Sequence, residues 1–413
     1  MTRDPTREAA FDLLSAVVDR RRPLEEALDG LPEMPPRDRA AGHRLAAAVL
    51  RRMGTLDAVL EPFLRKEPPD PVRHVLRIGA AGLLLLETPS HAAVATAVAL
   101  ARSRGLAPFA GLVNAVLRRV SEAGAPAMAE LDGPRLDTPA WLWASWGEAA
   151  RAIAVAHQHE APLDLTLRPG AAVPAGGDVL PSGSVRFPPG TRVAEIEGFE
   201  AGTWWVQDAA AALPARLMGA QPGEHVADLC AAPGGKTGQL AAAGAAVVAV
   251  ERDGARLARL CDNLRRWRLA AETVQADVLE WKAPQLFDAI LLDTPCSATG
   301  TIRRHPDVPH TKRPRDVRAL METQDKLLIA AAAMLRPGGR LVYAVCSLQP
   351  EEGAARIEAA LQRGGVRHEP FTPDELVDLP EARTEQGFLR TLPSMWPERG
   401  GMDGFFAARL VRV

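Results

Sequence analysis

The stretch over residues 226–253, VADLCAAPGGKTGQLAAAGAAVVAVERD, constrains this chain more than any other. Its first apolar run, 226–229, reads as a buried strand, and a small, Gly-rich turn follows over 230–237. Small residues over 238–243 suit the start of a helix, and a second apolar run, 246–250, ends on Glu251. This strand, loop, helix, strand order is the pattern of a nucleotide-cofactor site. Bare loop amides and a helix N-terminus meet the ligand, and the acid accepts hydrogen bonds from a ribose. The loop ends like a phosphate-binding GxxxxGK[ST] motif, but the position that demands the first glycine holds Cys230. GxGxxG is absent too. One Gly-Gly pair suits a cofactor without a pyrophosphate, such as S-adenosylmethionine. The plain alternative is an ordinary strand-to-helix turn of any α/β domain.

Around this stretch, strands are expected at 226–229, 246–250, 272–275, 289–292, 340–345 and 405–410, with helices between them, notably 255–268 and 321–335. Alternation of this kind implies a parallel sheet covered on both faces. The last strand is expected to enter as an edge hairpin. Ligands of open α/β sheets bind beyond the carboxyl ends of the strands. The residues that follow the strands are the loop 230–237, Glu251, Asp277, Asp293 with Cys296, and Cys346. A single acid at a strand end is often only a helix N-cap; three beside a Gly-rich loop are harder to dismiss. Glu251 can accept both ribose hydroxyls, Asp277 the exocyclic amine of adenine, and Asp293 lies where cofactor and substrate would meet.

If the fourth and fifth strands are neighbours, Cys296 and Cys346 end about 5 Å apart. A disulfide or two inert thiols are the bland readings, and Cys230 and Cys261 read as inert. On strand-end loops a thiolate acts as a nucleophile. Beside a methyl donor, thiolate addition to carbon 6 of a pyrimidine makes carbon 5 enamine-like and able to take a methyl. Asp293 would stabilise the adduct, and a second thiol would assist elimination. Two cysteines and one acid thus match methylation of cytosine at carbon 5.

The 413 residues suggest two or three domains. With 47% hydrophobic residues and a net charge of -2, the chain is globular, and only local patches can argue for a nucleic-acid partner. No run reaches the roughly 18 apolar residues of a membrane helix, and the start MTRDPTREAAF has no signal-peptide core. The four cysteines form no CxxC pair, so neither zinc nor another metal is expected, and a cytoplasmic location with reduced thiols is the simplest reading.

Residues 5–123 carry helical periodicity throughout, with prolines at the helix starts. Over residues 1–125, 18 Lys plus Arg stand against 15 Asp plus Glu, a net of +3, which fits solvated helix faces or a nucleic-acid-binding face. The Ala-, Gly- and Pro-rich stretch 124–133 reads as a linker. Trp141, Trp143 and Trp146 read as packing between domains, or as platforms for bases. His157 and His159 are expected on the surface. Residues 162–203 suggest short strands with Gly and Pro turns. Beyond Cys296, residues 301–318 hold six Lys plus Arg against two Asp, a net of +4. Arg303, Arg304, Lys312, Arg313 and Arg315 are the candidates to grip a phosphate backbone, with a solvated loop as the alternative.

Taken together, DLCAAPGGKT (228–237), DTPCSATGTIRRHPD (293–307), YAVCSLQPEE (343–352) and DGFFAARL (403–410) resemble the Fmu/Sun family of S-adenosylmethionine-dependent RNA cytosine-5 methyltransferases. FAGLVNAVLRRV (109–120) resembles the NusB-like RNA-binding domain carried by the bacterial branch that acts on 16S rRNA. The resemblance implies a multidomain chain. An all-α NusB-like bundle would span 1–130, a small α+β connecting subdomain 135–205, and an α/β Rossmann-like methyltransferase domain 206–413. It implies that Cys230, Ala231, Ala232, Pro233, Gly234, Gly235, Lys236, Glu251, Asp277 and Asp293 bind the cofactor. It makes Cys346 the nucleophile and Cys296 the residue that releases product; spacing alone leaves the two thiols interchangeable. A flipped or single-stranded cytosine in RNA is the implied target, and a monomer is expected. The family often has DAPCSGTG where this chain has Thr294 and Ala298, a Thr where it has Val345, and an Asp where it has Glu251. Two other readings stay open: an RNA-binding assembly factor with a degenerate methyltransferase domain, and the same chemistry on tRNA or another RNA.

Overall fold

The computed structural model describes residues 4–413. Its first helix, Pro5–Leu14, starts behind Asp4, whose side chain accepts the Arg7 amide at 3.2 Å and so satisfies one free N–H of the first turn. Pro5, Pro36 and Pro71 sit at the first or second position of their helices, where a missing N–H costs nothing. Helices Leu24–Asp29, Pro36–Arg51, Met53–Leu60, Asp70–Leu84, Ser90–Ser103 and Ala110–Ala129 complete the bundle. Leu13, Leu14, Val49, Leu50, Leu56, Val75, Leu76 and Leu117 form its core. The spacing of these residues is the helical period read from the sequence.

The stretch 124–133 is not a linker. The helix Ala110–Ala129 runs through it, broken only at Gly124 (φ 62°), and Met128 and Leu131 pack against the bundle core. Apolar contacts at helical spacing override the composition. Three short helices follow, Gly133–Leu136, Ala140–Trp146 and Ala150–His157. Asp137 secures them: it accepts the Thr55 amide at 2.7 Å, the Thr55 hydroxyl at 2.8 Å, Arg52 Nε at 2.9 Å and Gln158 Nε2 at 3.0 Å. Trp146 is buried against His157, ring to ring at 5.3 Å, while Trp143 lies beneath the guanidinium groups of Arg135 and Arg151. His157 is therefore a core residue, contrary to expectation; burial pulls its pKa down to about 3, whereas His159 is exposed.

This helical unit extends to residue 159 and takes in residues 302–313 from far down the chain. The division thus falls later than the expected boundary near 130, and the excursion has no counterpart in the expected plan. Asp307 accepts the Leu24 amide at 3.2 Å, Arg51 donates to the Arg303 carbonyl at 2.8 Å, and His310 Nε2 lies 2.9 Å from the Leu50 carbonyl. Ile302 and Val308 are buried.

The second unit comprises residues 160–301 and 314–413. It begins with a four-stranded antiparallel sheet in which β1 (Leu163–Leu167) lies between β3 (Val185–Phe187) and β4 (Trp204–Val206), with β2 (Asp178–Val179) beyond β3. Asp164 and Arg186 form a buried bidentate pair at 2.6 and 2.7 Å. The main sheet contains β5 (His225–Leu229), β6 (Ala246–Glu251), β7 (Glu272–Gln275), β8 (Phe287–Asp293), β9 (Leu335–Val345), β10 (Val366–His368), β11 (Leu389–Arg390) and β12 (Phe406–Arg412). Its order is β10-β12-β9-β8-β5-β6-β7, with β11 also paired to β12. β9, β8, β5, β6 and β7 are parallel, as the alternation of strands and helices implies, and β12 is antiparallel to β9. β12 is not an edge: β10, too short to read from the sequence, covers its outer side. Leu229, Ile290 and Tyr343 face one core while Val226, Leu291 and Val342 face another, so the sheet is buried on both sides. Among the described residues no helix is long and apolar enough to cross a membrane.

Candidate active site

β5 lies between β8 and β6, and the chain order reverses there, which opens a crevice beyond the carboxyl ends of the strands. The loop after β5 is shorter than expected, because the helix Gly235–Ala242 already begins inside the GGKT motif. Gly235, Lys236 and Thr237 therefore form its first turn, where N–H groups lack intrahelical partners. Cys230 adopts φ 62° and Gly234 φ 102°. The chain thus uses left-handed backbone at the position where a phosphate loop would need glycine. Burial raises the Cys230 thiol to about 12, which keeps it protonated. Asp228 is buried and accepts the Thr237 hydroxyl at 2.6 Å; burial lifts its carboxyl to about 7.

Glu251, at the end of β6, is buried; its Oε2 accepts the Ala232 amide at 3.3 Å and its Oε1 the Asp253 amide at 3.0 Å. The acid thus braces the loop and keeps lone pairs for further donors. Asp277 follows β7, with Oδ1 accepting the Leu279 amide at 2.9 Å and Oδ2 3.6 Å from Arg252. Asp293 ends β8, and Lys236 Nζ donates to its Oδ2 at 2.7 Å while lying 5.3 Å from the Phe405 ring centroid. Burial works against the Lys236 charge, but Asp293 outweighs it and raises the ammonium pKa. Lys236, expected among the cofactor ligands, thus points its charge at the acid.

The two strand-end thiols meet: Cys296 Sγ and Cys346 Sγ are 3.4 Å apart, across the parallel pairing of β8 with β9. The hydrogen bond to Cys346, followed by burial, raises Cys296 well above the ordinary thiol range, so Cys296 keeps its proton. Cys261 lies in the helix Gly254–Trp267, 3.7 Å from the Thr273 hydroxyl and away from this pair. Val345 is wholly buried in the sheet core. The Gly300 amide donates to the Cys346 carbonyl at 3.0 Å, and the Gly404 amide to the Gly300 carbonyl at 2.8 Å. The segment before β12 is thereby stitched to both cysteine loops.

Ala298 holds φ 58°, a conformation that costs an L-residue about 1–2 kcal/mol. Ala298→Gly is expected to raise stability by about 0.5–1 kcal/mol, since the relief exceeds the extra freedom of the unfolded chain. Thermal melts check this; a lowered Tm contradicts it.

Of the basic candidates beyond Cys296, Arg303 is corrected: it is 1% exposed, enclosed within the helical unit, and cannot reach a phosphate backbone. Packing of Ile302 and Val308 draws the segment inward. Arg304 and Lys312 are partly exposed, and Arg313 and Arg315 are exposed. Glu352, Ser297, Ser347 and Gln324, which form a buried network under the thiols, were not expected. Their sequence signals are the Ser after each cysteine in DTPCSATG and YAVCSLQPEE and the second Glu of the latter.

The residues present fit S-adenosylmethionine. Acids follow β8, β6 and β7, on both sides of the loop of small residues after β5, with no second glycine-rich turn for a pyrophosphate. A parallel sheet with this crevice and an antiparallel strand beside β9 defines an S-adenosylmethionine-dependent methyltransferase. The family model described as 16S rRNA methyltransferase RsmB/F matches residues 215–411, and that of the NusB family matches residues 4–122. Ribosomal RNA small subunit methyltransferase B of Xanthomonas campestris pv. campestris is 37% identical, over 87% of this chain and 88% of its own. That of Escherichia coli K12 is 34% identical over 98% of both chains. The solved structure of PH0851 shares the fold, with a TM-score of 0.75 at 21% identity over 99% of both chains. A methyltransferase homolog protein from Pyrococcus horikoshii matches at 25% identity and a TM-score of 0.55, covering 69% of this chain and 96% of its own. The chain belongs to the 16S rRNA methyltransferase RsmB/F family and carries a NusB-family domain.

Proposed function

We propose that the protein methylates carbon 5 of a cytosine in 16S rRNA, in the cytoplasm, with Cys346 as nucleophile. The contact of the Cys296 and Cys346 thiols beside the Asp293–Lys236 pair carries this reading. Methylation of a carbon that is not itself nucleophilic needs prior addition of a thiolate. Methyl transfer to nitrogen or oxygen leaves two apposed thiols without a task. The relatives' printed names supply the substrate class.

In the proposed sequence, Cys346 adds to carbon 6 of a cytosine taken out of its stack. Asp293, held in place by Lys236, faces the ring nitrogen and stabilises the adduct. The loop 230–236, Glu251 and Asp277 would hold S-adenosylmethionine, which when bound would supply an electrophilic methyl for carbon 5. Loss of the carbon 5 proton to solvent then expels Cys346 as a thiolate, and Cys296, which retains its own proton, assists release by hydrogen-bonding to the leaving sulfur. Arg304, Lys312, Arg313 and Arg315 remain candidates for phosphate contacts, which position RNA without specifying sequence.

The reading is tested by bisulfite sequencing of rRNA from a strain that lacks the protein. One 16S cytosine is expected to lose its protection completely and to regain it on complementation. An unchanged 16S pattern with a lost site in tRNA would move the substrate to another RNA.

A further inference from the structure

The residue that follows each thiol is tied to one carboxylate. Glu352 is wholly buried, six positions after Cys346 and on no strand of the sheet. Its Oε1 accepts the Ser297 amide at 2.9 Å and Gln324 Nε2 at 3.0 Å, and its Oε2 accepts the hydroxyls of both Ser297 and Ser347. Ser297 follows Cys296, and Ser347 follows Cys346.

The rest of the network closes around these bonds. The Ser347 hydroxyl accepts the Gln349 amide at 3.0 Å, and the Thr299 hydroxyl accepts the Leu348 amide at 3.0 Å. Gln324 Nε2 also donates to the Pro295 carbonyl at 3.0 Å, and Tyr343 donates its hydroxyl to the Glu352 carbonyl at 2.7 Å. Four donors converge on one carboxylate, which satisfies both its oxygens away from water. Burial of such a group is costly unless every partner is in place. A carboxylate at this depth thus tolerates only one arrangement of the two loops.

We propose that Glu352 is the positioning residue of the active site, which holds the two cysteine loops so that their thiols stay in contact. It touches no reacting atom; it acts through Ser297 and Ser347. The spacing matters because a reacting group displaced by about 1 Å can lose on the order of 100-fold in rate. The catalytic meaning rests on the proposed cytosine chemistry, but the positioning itself can be read without RNA or cofactor.

The test uses the full chain with Glu352→Gln. Diamide takes two electrons and two protons from a thiol pair, becoming its hydrazine, and leaves a disulfide. Thiols 3.4 Å apart close to the roughly 2.05 Å of an S–S bond with little movement. Formation of the Cys296–Cys346 disulfide, followed by peptide mass spectrometry, thus reports how well the loops are held. Glu352→Gln is expected to slow this closure about 10-fold or more and to lower kcat for methyl transfer by about 10- to 100-fold. The Kd for S-adenosylmethionine, set by the other strand ends, should stay within about twofold. Wild-type closure rate and kcat in a folded Glu352→Gln protein overturn the proposal. If that variant does not fold, Ser347→Ala and Ser297→Ala each release one loop. Slowed closure with unchanged cofactor affinity supports the proposal, and unchanged closure in both overturns it. Slowed closure in a protein whose wild type shows no cytosine methylation leaves the positioning intact and removes the proposed reaction instead.

Discussion

Cys346→Ala is expected to abolish methyl transfer to RNA, with a loss on the order of 10³-fold or more, because the proposed carbon 6 adduct cannot form without its thiol. Cys296→Ala is expected to behave differently. Addition to carbon 6 still occurs in that variant, but release is impaired, so a covalent protein–RNA species should survive denaturation and migrate as a shifted band. The pair of results separates the two thiols, which the 3.4 Å contact alone does not. The hydrogen bond to Cys346, followed by burial, raises the Cys296 thiol, which agrees with a role for Cys296 in release. Methyl transfer by Cys346→Ala at the wild-type rate, or an adduct that accumulates in Cys346→Ala rather than Cys296→Ala, would reverse or remove the assignment.

The second large effect is expected at Gly300. A Cβ built there lies 1.9 Å from the Gly404 carbonyl oxygen and 2.6 Å from its carbon. Those are main-chain atoms, already fixed by the hydrogen bond from the Gly404 amide to the Gly300 carbonyl, so neither side can yield. Gly300→Ala should cost about 3 kcal/mol or more, from overpacking at a junction that joins both cysteine loops to the segment before β12. Chemical denaturation measures this directly. A loss below about 1 kcal/mol would mean that the junction is looser than its geometry indicates.

Much of this architecture was legible in the chain. Parallel strands buried on both faces must be continuous apolar runs, and β5, β6, β8 and β9 were found that way, whereas β7, ETVQ, is partly exposed and was placed by the alternation of strands and helices. Their order follows from pairing that the sequence does not carry, yet the acids and thiols at their ends could be gathered because every parallel strand points the same way. What escaped detection was short or tertiary. β10 and β11 have three and two residues and no periodicity to detect. His157 lies in a polar-looking AHQHE stretch, but the helix turns it beneath Trp146. Arg303 reads as a surface charge beside Arg304 until its neighbours Ile302 and Val308 pull it in. Glu352 was hidden for a related reason. A buried carboxylate is defined by its donors, and Ser297 and Gln324 are far from it in sequence. The Lys236 charge, grouped by its motif with the cofactor loop, went to Asp293 because that carboxylate lies closest across the crevice.

The excursion of residues 302–313 into the helical unit bears on how the chain is made. The NusB-family domain emerges from the ribosome before the methyltransferase domain, yet it lacks Asp307 for the Leu24 amide and the Ile302 and Val308 side chains until about 150 residues after His159 have been added. At synthesis rates of about 5–20 residues per second, that is a wait of roughly ten to thirty seconds. Through that interval the bundle has an unfinished apolar surface while the small sheet, β1 to β4, and the first strands of the main sheet, β5 to β8, are being delivered. Biogenesis of this enzyme is therefore not a sequence of two independent folding events. The helical unit is completed only by its own later segment, residues 302–313, so a nascent chain halted before residue 313 should be more open to protease than one halted beyond it.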